Sequence, residues 1–219
     1  VFEVTERSTV SPDVVAAAVE DIRRLGFAVA LDDVGAGNNG GDALVALSKL
    51  QEMNWQTLAY IVKPRLEGDY QLHRYVENGG VVVYANQDPA QNNLVILVSQ
   101  YKVLIDGVLG TGIRFPLLPD IAQVLRCVKR MVVENEGKPH VVAVDCPSGI
   151  DCDTGQASTD VIPAEVTYTM AAIKRGLFNF PAANLVGEVR VGGIGDLSKF
   201  GTWNSVKRGV VTDKDICLF

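Results

Sequence analysis

Residues 34–42 read Val-Gly-Ala-Gly-Asn-Asn-Gly-Gly-Asp, and they lie between the apolar run 27–31 and a helical pattern that we predict to begin near Asp42. The first three glycines fit the spacing G-x-G-x-x-G, in which glycine allows a tight turn and lets the backbone approach a phosphate at a helix N-terminus. Glycine clusters also close ordinary strand-to-helix turns. The stretch therefore predicts a β-α unit and, as one of two interpretations, a nucleotide-binding loop.

Two later strands end in the same way, in an acid followed by a glycine-containing loop. Strand 101–105 runs into Asp-Gly-Val-Leu-Gly-Thr-Gly, and strand 140–144 runs into Asp-Cys-Pro-Ser-Gly. In a parallel sheet such loops meet at the carboxyl edge, where ligands bind beside the topological switch point. We therefore expect three loops, carrying Asp42, Asp106 and Asp145, to converge on one site. For one or two of these acids the alternative is helix capping.

Composition excludes several classes of protein. With 219 residues, 47% of them hydrophobic and 21% charged, the chain suits a single compact domain with a substantial core. The formal net charge of −6 argues against binding to nucleic acid or an anionic membrane, because phosphate-backbone binding normally needs a basic patch. No apolar run approaches the roughly 20 residues of a transmembrane helix and no cationic-then-apolar leader opens the chain, so we expect a cytoplasmic protein. Because the first residue is not Met, we expect a trimmed or excised segment.

The four cysteines form no C-x-x-C pair and have no histidine at zinc-finger spacing, which argues against a structural zinc site. Reduced thiols in a cytosolic-type compartment fit best. Cys146 lies inside a candidate site loop, but neither His73 nor His140 is near it in sequence. We interpret it as a small buried residue at a strand end rather than a nucleophile.

Strand and helix patterns alternate along the chain. We predict strands at 1–5, 27–31, 57–62, 81–85, 101–105, 140–144, 166–170 and 188–191, and helices at 11–26, from 42 onwards, 66–78 and 120–134. Residues 94–98 are apolar enough for a strand but are bounded by loop residues. This alternation predicts an α/β fold in one domain over residues 1–219: a three-layer α/β/α sandwich, Rossmann-like, with a mostly parallel sheet.

The residues after the second strand argue against a standard NAD-dependent oxidoreductase. Such an enzyme normally carries an acid about 20 residues past the glycine fingerprint, where it binds the ribose hydroxyls. This chain has Lys63, Pro64 and Arg65 there. These residues could bind a phosphate or lie in solvent.

Several segments together resemble a known family. They are G-x-G-N-N-G-G-D at 35–42, D-G-V-L-G-T-G at 106–112, V-D-C-P-S-G-I-D-C-D-T-G at 144–155, K-R-G at 174–176 and G-E-V at 187–189. The combination resembles the NAD(P)H-hydrate epimerase family, the YjeF N-terminal domain, over roughly residues 35–197. It is more specific than any single motif, because three unusual loops occur in the family's order and at suitable separations.

The resemblance implies a substrate and a metal ion. The substrate is a hydrated nicotinamide nucleotide, NADHX or NADPHX. The residues implied to bind it are Asn38, Asn39, Gly40, Gly41, Asp42, Gly110, Thr111, Gly112, Ile113, Arg114, Phe115, Pro116 and Asp145. A potassium ion, K+, would be held by Asn39, Asp106 and Ser148, whose amide, carboxylate and hydroxyl oxygens are hard donors. Taken alone, Ser148 reads as a turn residue after Pro147.

The implied reaction, a metabolite-repair reaction, interconverts the R and S hydrates at C6, the ring carbon that bears the hydroxyl beside N1. In our hypothesis hydroxide leaves with help from the N1 lone pair, and water returns to the opposite face. This requires a group that gives and takes a proton. Asp145 is the candidate catalytic residue, most effective if burial raises its pKa, and Lys174 is the second candidate. No redox cofactor is consumed, which fits the missing ribose-binding acid.

Residues 1–37 depart from that family and resemble part of an EAL-type cyclic-di-GMP phosphodiesterase, with E-x-T-E at 3–6 and A-L-D-D-V-G-A-G at 30–37. There Glu3, Asp32 and Asp33 would match metal ligands, and Glu6 would support them. That site draws its ligands from many strands of a closed eight-stranded barrel, so we expect these acids to be solvated or capping here. A chimera and an unusual natural N-terminus are the two explanations.

Two other functions remain as alternatives. One is a noncatalytic scaffold, since relatives of this domain serve as interaction modules in RNA decapping. The other is an engineered chimeric fold with no selected activity. The intact set Asn39, Asp106, Asp145 and Ser148 favours the enzyme. The resemblance also suggests a homodimer.

Overall fold

The computed structural model describes residues 27–32, 39–63, 68–134 and 139–196, together with positions 199 and 201. Within these residues seven strands form one sheet in the order β3-β2-β1-β4-β5-β6-β7, and every neighbouring pair is parallel. The strands are β1 (Phe27–Asp32), β2 (Gln56–Ile61), β3 (Val81–Tyr84), β4 (Val103–Gly107), β5 (His140–Val144), β6 (Val166–Met170) and β7 (Glu188–Gly192). The predicted α/β, Rossmann-like fold is confirmed.

Helices cover both faces of the sheet. The α-helices are α1 (Asn39–Glu52), α2 (Tyr70–Glu77), α3 (Asn92–Gln100) and α4 (Pro119–Glu134), and short 3₁₀ helices lie at Ala85–Gln87, Arg175–Phe178 and Ala182–Asn184. Ala28 and Ala30 pack into the same apolar cluster as residues of α1 and α2. Val29 and Leu31 pack into a second cluster with residues of α3 and α4. Because side chains alternate along a strand, this division gives the three predicted layers.

The face of β1 that receives α1 carries alanines, and small residues there let the helix approach closely. The same holds at the end of β4. A Cβ added to Gly107 would lie 2.7 Å from the Cβ of Ala43 and 3.2 Å from the carbonyl oxygen of Asn39. The N-terminal turn of α1 is therefore pressed against the carboxyl end of the central strands.

The winding of the chain reverses between β1 and β4. From β1 the chain winds outward through α1 and α2 to β3, and it then returns through α3 to β4, on the other side of β1. In such a sheet the loops after the two strands at the reversal separate, because their helices lie on opposite faces. The topological switch point of the sheet therefore lies between the carboxyl ends of β1 and β4.

The structure moves one helix boundary and decides one segment that the sequence left open. Helix α1 begins at Asn39, three residues before the predicted start near Asp42, and its first turn contains Gly40 and Gly41. Residues 94–98 belong to helix α3 rather than a strand. There Leu94 and Val98 are buried and the intervening Ile96 is half exposed, which is a helical period rather than an alternating one.

The other sequence predictions either agree with the structure or concern residues that it does not describe. The remaining predicted elements agree with the structure to within a few residues at their ends. The predicted strand 1–5 and helix 11–26 lie outside the part that the structure describes, as does Cys217. Cys127, Cys146 and Cys152 are free thiols and buried, which confirms Cys146 as a buried strand-end residue. No helix among the described residues is long and apolar enough to cross a membrane.

Candidate functional site

Asn39 begins α1 and ties it to the end of β5 and to the segment after β4. Its side chain is 8% exposed, and Nδ2 donates to the carbonyl oxygens of Leu109 (3.2 Å) and Val144 (2.7 Å). Gly110 makes room for this amide, because a Cβ there would lie 2.8 Å from the Asn39 Oδ1. No described residue donates to that Oδ1. The predicted residues Gly40 and Gly41 are buried in the same helical turn, whereas Asn38 lies outside the described residues.

Asp106 and Ser148 form a buried pair at the ends of β4 and β5. Asp106 is fully buried; its Oδ1 accepts a hydrogen bond from the Ser148 hydroxyl, and its Oδ2 accepts one from the Ser148 backbone N–H at 2.8 Å. The Ser148 Oγ in turn accepts from the Leu109 N–H at 2.8 Å. Burial raises the pKa of Asp106, and the hydrogen bonds from Ser148 oppose that shift. Ser148 is therefore a partner of a buried carboxyl group rather than a simple turn residue.

These three residues fit a K+ ion in the chemistry of their donors. Leu109 connects them, because its carbonyl accepts from Asn39 and its N–H donates to Ser148. Asp106 is wholly buried, and no cationic side chain among the described residues pairs with it. A buried carboxylate without a counter-charge is costly, so a bound cation is a natural partner. Amide, carboxylate and hydroxyl oxygens are the ligands that hard cations prefer.

Asp145 follows β5 in a strained conformation. Its φ is +64°, a left-handed value that costs a non-glycine residue about 1–3 kcal/mol. The turn is fixed by hydrogen bonds from the Asp145 N–H to Tyr168 O (2.7 Å) and from the Cys146 N–H to Val144 O (2.8 Å). The residue is 8% exposed. Strain of this kind, held by the surrounding backbone, is common at functional sites.

The carboxylate of Asp145 is held through one oxygen. Its Oδ1 accepts from the Met170 N–H at 2.9 Å, from the Thr169 hydroxyl at 3.3 Å and from the Lys174 ammonium in a short contact. The Lys174 Nζ also donates to Thr169 Oγ1 (2.9 Å) and to the carbonyl of Met170 (3.0 Å). The structure thus joins the two residues that sequence reasoning proposed separately for proton transfer, Asp145 and Lys174.

Asp42 lies in the first turn of α1 near Asp145. Burial raises the pKa of Asp42 from 3.8 to about 7, and the negative charge of Asp145 adds to the increase. Two neighbouring carboxyl groups of which one holds its proton near neutral pH are suited to general acid–base chemistry. Of the three acids expected at this edge, Asp42 thus lies near Asp145, and Asp106 is hydrogen-bonded to Ser148, three residues after Asp145.

The predicted binding segment 110–116 borders this edge. Gly110, Ile113 and Phe115 are half-buried, and Thr111, Gly112, Arg114 and Pro116 are exposed. Phe115 and Pro116 also line an open cavity of about 660 Å³, with residues of α4 and of the segment 158–160. The segment therefore offers a surface beside the buried polar cluster, on the side of the sheet that carries α4.

Sequence reasoning missed Thr169 and the backbone of Met170. Both lie at the carboxyl end of β6, next to β5, and Thr169 is fully buried. A hydroxyl at the end of a buried strand is the signal that could have indicated it, since buried hydroxyls need a polar partner. The partner itself, Asp145, is 24 residues away in sequence.

The acids that resemble phosphodiesterase ligands receive no support. Glu3, Glu6 and Asp33 lie outside the described residues, and Asp32 is the last residue of β1. The family match reported next begins at residue 31 and so includes only the end of that region. The resemblance of residues 1–37 remains a prediction.

Comparison with known proteins identifies one family. Residues 31–176 match the model of the family described as YjeF-related protein N-terminus. The NAD(P)H-hydrate epimerase of Clavibacter sepedonicus is 36% identical over 75% of this chain and 72% of its own length, and that of Microbacterium testaceum is 35% identical over 74% of this chain and 59% of its own length. The bifunctional NAD(P)H-hydrate repair enzyme Nnr of Thermofilum pendens is 33% identical over 72% of this chain, which spans 29% of that enzyme.

A solved structure agrees with the fold. The crystal structure of yeast ynu0 superimposes with a TM-score of 0.64 over 81% of this chain and 73% of its own, at 18% identity. At that identity the likeness concerns the fold alone. From the sequence matches, the chain belongs to the family of YjeF-related N-terminal domains, which includes the NAD(P)H-hydrate epimerases.

Proposed function

We propose that this protein epimerises the R and S hydrates of NADH or NADPH at C6, as the names of its relatives indicate for those proteins. The observation that carries the proposal is the polar cluster at the carboxyl edge of β1, β4, β5 and β6. It contains two neighbouring carboxyl groups, Asp42 and Asp145, beside the buried pair of Asp106 and Ser148. A noncatalytic scaffold has no need of this arrangement.

The reaction needs a group that donates one proton to the departing hydroxyl and later takes one back. The C6–O bond breaks as the N1 lone pair forms a C6=N1 iminium, and the departing hydroxyl takes a proton from the carboxyl pair to leave as water. Water then adds to the opposite face, the C6–O bond forms again, and the proton returns to the pair. Because burial raises the pKa of Asp42 to about 7, Asp42 exchanges its proton readily near neutral pH, as this cycle requires.

We propose that the nucleotide binds to Asn39, Gly40, Gly41 and Asp42 in the first turn of α1 and to Gly110 to Pro116 after β4. Asn38, which lies outside the described residues, belongs to the same proposed set. The N-terminus of α1 favours a phosphate or another anionic group, because its first backbone N–H groups are free of helical partners. The half-buried Phe115 offers an apolar surface to a ring of the substrate.

We also propose that Asn39, Asp106 and Ser148 hold a K+ ion. When bound, the ion would supply a positive charge that compensates Asp106 and orders the loops after β4 and β5. Asn39 and Ser148 would then link that charge to the start of α1 through Leu109. The homodimer implied by the family is a further proposal, which sedimentation velocity tests directly.

The test starts from one isolated C6 epimer of NADHX, incubated with the protein in the presence and absence of KCl. Appearance of the other epimer is followed by chromatography, with Asp145→Asn as the control because it keeps the shape of the side chain and removes the charge. Equilibration faster than the spontaneous rate, and lost in Asp145→Asn, supports the enzyme. No acceleration by a folded wild-type protein would favour a scaffold or a chimeric domain whose site lacks working geometry.

A further inference from the structure

The two carboxylate oxygens of Asp145 have different surroundings. Oδ1 accepts from the Met170 N–H, the Thr169 hydroxyl and the Lys174 ammonium. Among the described residues, no group donates to Oδ2. A carboxylate saturated on one oxygen keeps its proton-accepting capacity on the other.

The ammonium of Lys174 has no hydrogen left for a substrate. It can make three hydrogen bonds. Its acceptors here are the Asp145 Oδ1, the Thr169 Oγ1 at 2.9 Å and the Met170 carbonyl at 3.0 Å. Its side chain is 22% exposed, so it is neither sealed in the core nor free in solvent. A group with this arrangement holds its neighbours in place and is a poor donor to a bound nucleotide.

The segment that carries Lys174 is fixed against the Asp145 loop by close packing. The Gly176 N–H donates to the Cys152 carbonyl at 2.7 Å, and a Cβ at Gly176 would lie 2.6 Å from the carbonyl oxygens of Asp151 and Cys152. Position 176 therefore accepts only glycine without movement of the backbone. The distance between Lys174 and Asp145 is set by the backbone as well as by the ion pair.

We propose that Lys174, together with Thr169, is a positioning residue that immobilises Oδ1 of Asp145 and leaves Oδ2 as the oxygen that exchanges the proton with substrate. This inference rests on the proposed epimerase function. It assigns to Lys174 a role other than proton transfer, because all three N–H groups of its ammonium donate to acceptors within the protein and loss of a proton would break one of these hydrogen bonds. Thr169 forms a second link between Lys174 and Asp145. Its hydroxyl accepts a hydrogen bond from the Lys174 ammonium and donates one to the Asp145 Oδ1.

The first experiment measures epimerisation by Lys174→Met, which keeps the length of the side chain and removes the charge. We expect kcat to fall about 100-fold with KM within about threefold of wild type, because misplacement of a catalytic group by about 1 Å costs that much. Lys129→Met is the matched control, since Lys129 is a half-buried lysine of α4 whose acceptor among the described residues is the Thr159 carbonyl. A raised KM with unchanged kcat would show that Lys174 binds substrate and would overturn the proposal.

Position 169 gives a second pair of variants that disturbs the packing less. Thr169→Val removes the hydroxyl and keeps the shape, and we expect kcat to fall about tenfold. Thr169→Ser keeps the hydroxyl and should stay within about twofold of wild type. Equal kcat values for the two variants would refute the part assigned to the hydroxyl.

A measurement without substrate separates this proposal from the proposed function. In protein labelled with ¹³C at the aspartate carboxyl groups, the Asp145 signal is identified by its loss in Asp145→Asn. We expect Lys174→Met to shift or broaden that signal, whereas Lys129→Met leaves it unchanged. If wild type fails to epimerise but the signal moves, the function is wrong and the positioning role stands. If the signal is unchanged in Lys174→Met, the positioning role is wrong whatever the activity.

Discussion

Replacing Asp42 with Asn should make the protein more stable at alkaline pH relative to wild type. Burial raises the pKa of Asp42 from 3.8 to about 7, so the folded protein prefers the protonated carboxyl group. A group of this kind contributes stability that is full below the unfolded pKa and is lost as the pH rises through the folded pKa. Asn is neutral at every pH and has no such dependence.

The size of the effect follows from the two pKa values. A difference of about three pH units corresponds to at most about 4 kcal/mol, and about 2 kcal/mol of it is lost between pH 5.5 and pH 8.5. The free energy of unfolding of Asp42→Asn minus that of wild type should therefore increase by about 2 kcal/mol over this range. Asp106, which titrates in the same direction, is present in both proteins and cancels in the difference.

Urea unfolding at several pH values between 5.5 and 8.5, at constant ionic strength and KCl, measures this difference. Asp120→Asn is a control, because Asp120 is an exposed acid at the start of α4 whose ion-pair partner is the Lys63 ammonium at 3.6 Å. If the difference between Asp42→Asn and wild type is the same at all pH values, Asp42 is ionised in the folded protein throughout. The acid–base pairing of Asp42 with Asp145 would then be wrong.

Three further outcomes follow from the packing and the buried polar groups. Gly107→Ala places a Cβ 2.7 Å from that of Ala43 and should lower the free energy of unfolding in urea by about 1–3 kcal/mol. Gly112→Ala, with nothing within 4 Å of the added Cβ, should leave it unchanged, and equal stabilities of the two variants would show that α1 is free to shift. Ser148→Ala removes the hydroxyl hydrogen bond to the buried Asp106 and should lower the free energy of unfolding by about 2–3 kcal/mol. This corresponds to a melting temperature lower by roughly 4–12 °C, and a decrease below about 1 °C would contradict the hydrogen bond. KCl should raise the melting temperature of wild type more than LiCl at equal ionic strength, and Asp106→Asn should abolish that difference; a difference that survives the substitution would place the ion elsewhere.

The sheet and the loops at its edge were predictable from the sequence because their signals are local. An apolar run that ends in Asp and Gly marks both a strand and its carboxyl end, as at β4 and β5. Helix α3 was less clear, since five apolar residues in a row carry no period by themselves. Its burial is decided by contacts with α4, which the local sequence does not contain.

The electrostatics of the site were beyond local signals. The pKa of Asp42 depends on burial and on Asp145, which lies over 100 residues further along the chain. The ion pair between Asp145 and Lys174 likewise depends on the pairing of β5 with β6 and on the close packing of Gly176. For these residues the family resemblance supplied the positions, and only the folded structure supplies the partners.

The two hydrogen bonds of the Asn39 amide have a consequence for folding kinetics. The first links Asn39 to a residue 70 positions away in the sequence, and the second links it to a residue 105 positions away. The hydrogen-bonded residues Asp106 and Ser148 are separated by 42 positions. Contacts of such long sequence separation form slowly, because the chain entropy of the intervening segments is lost before the contacts are gained. No partly folded intermediate with only β1, α1 and β2 can contain this site. Binding of the proposed nucleotide should therefore appear in the last phase of refolding.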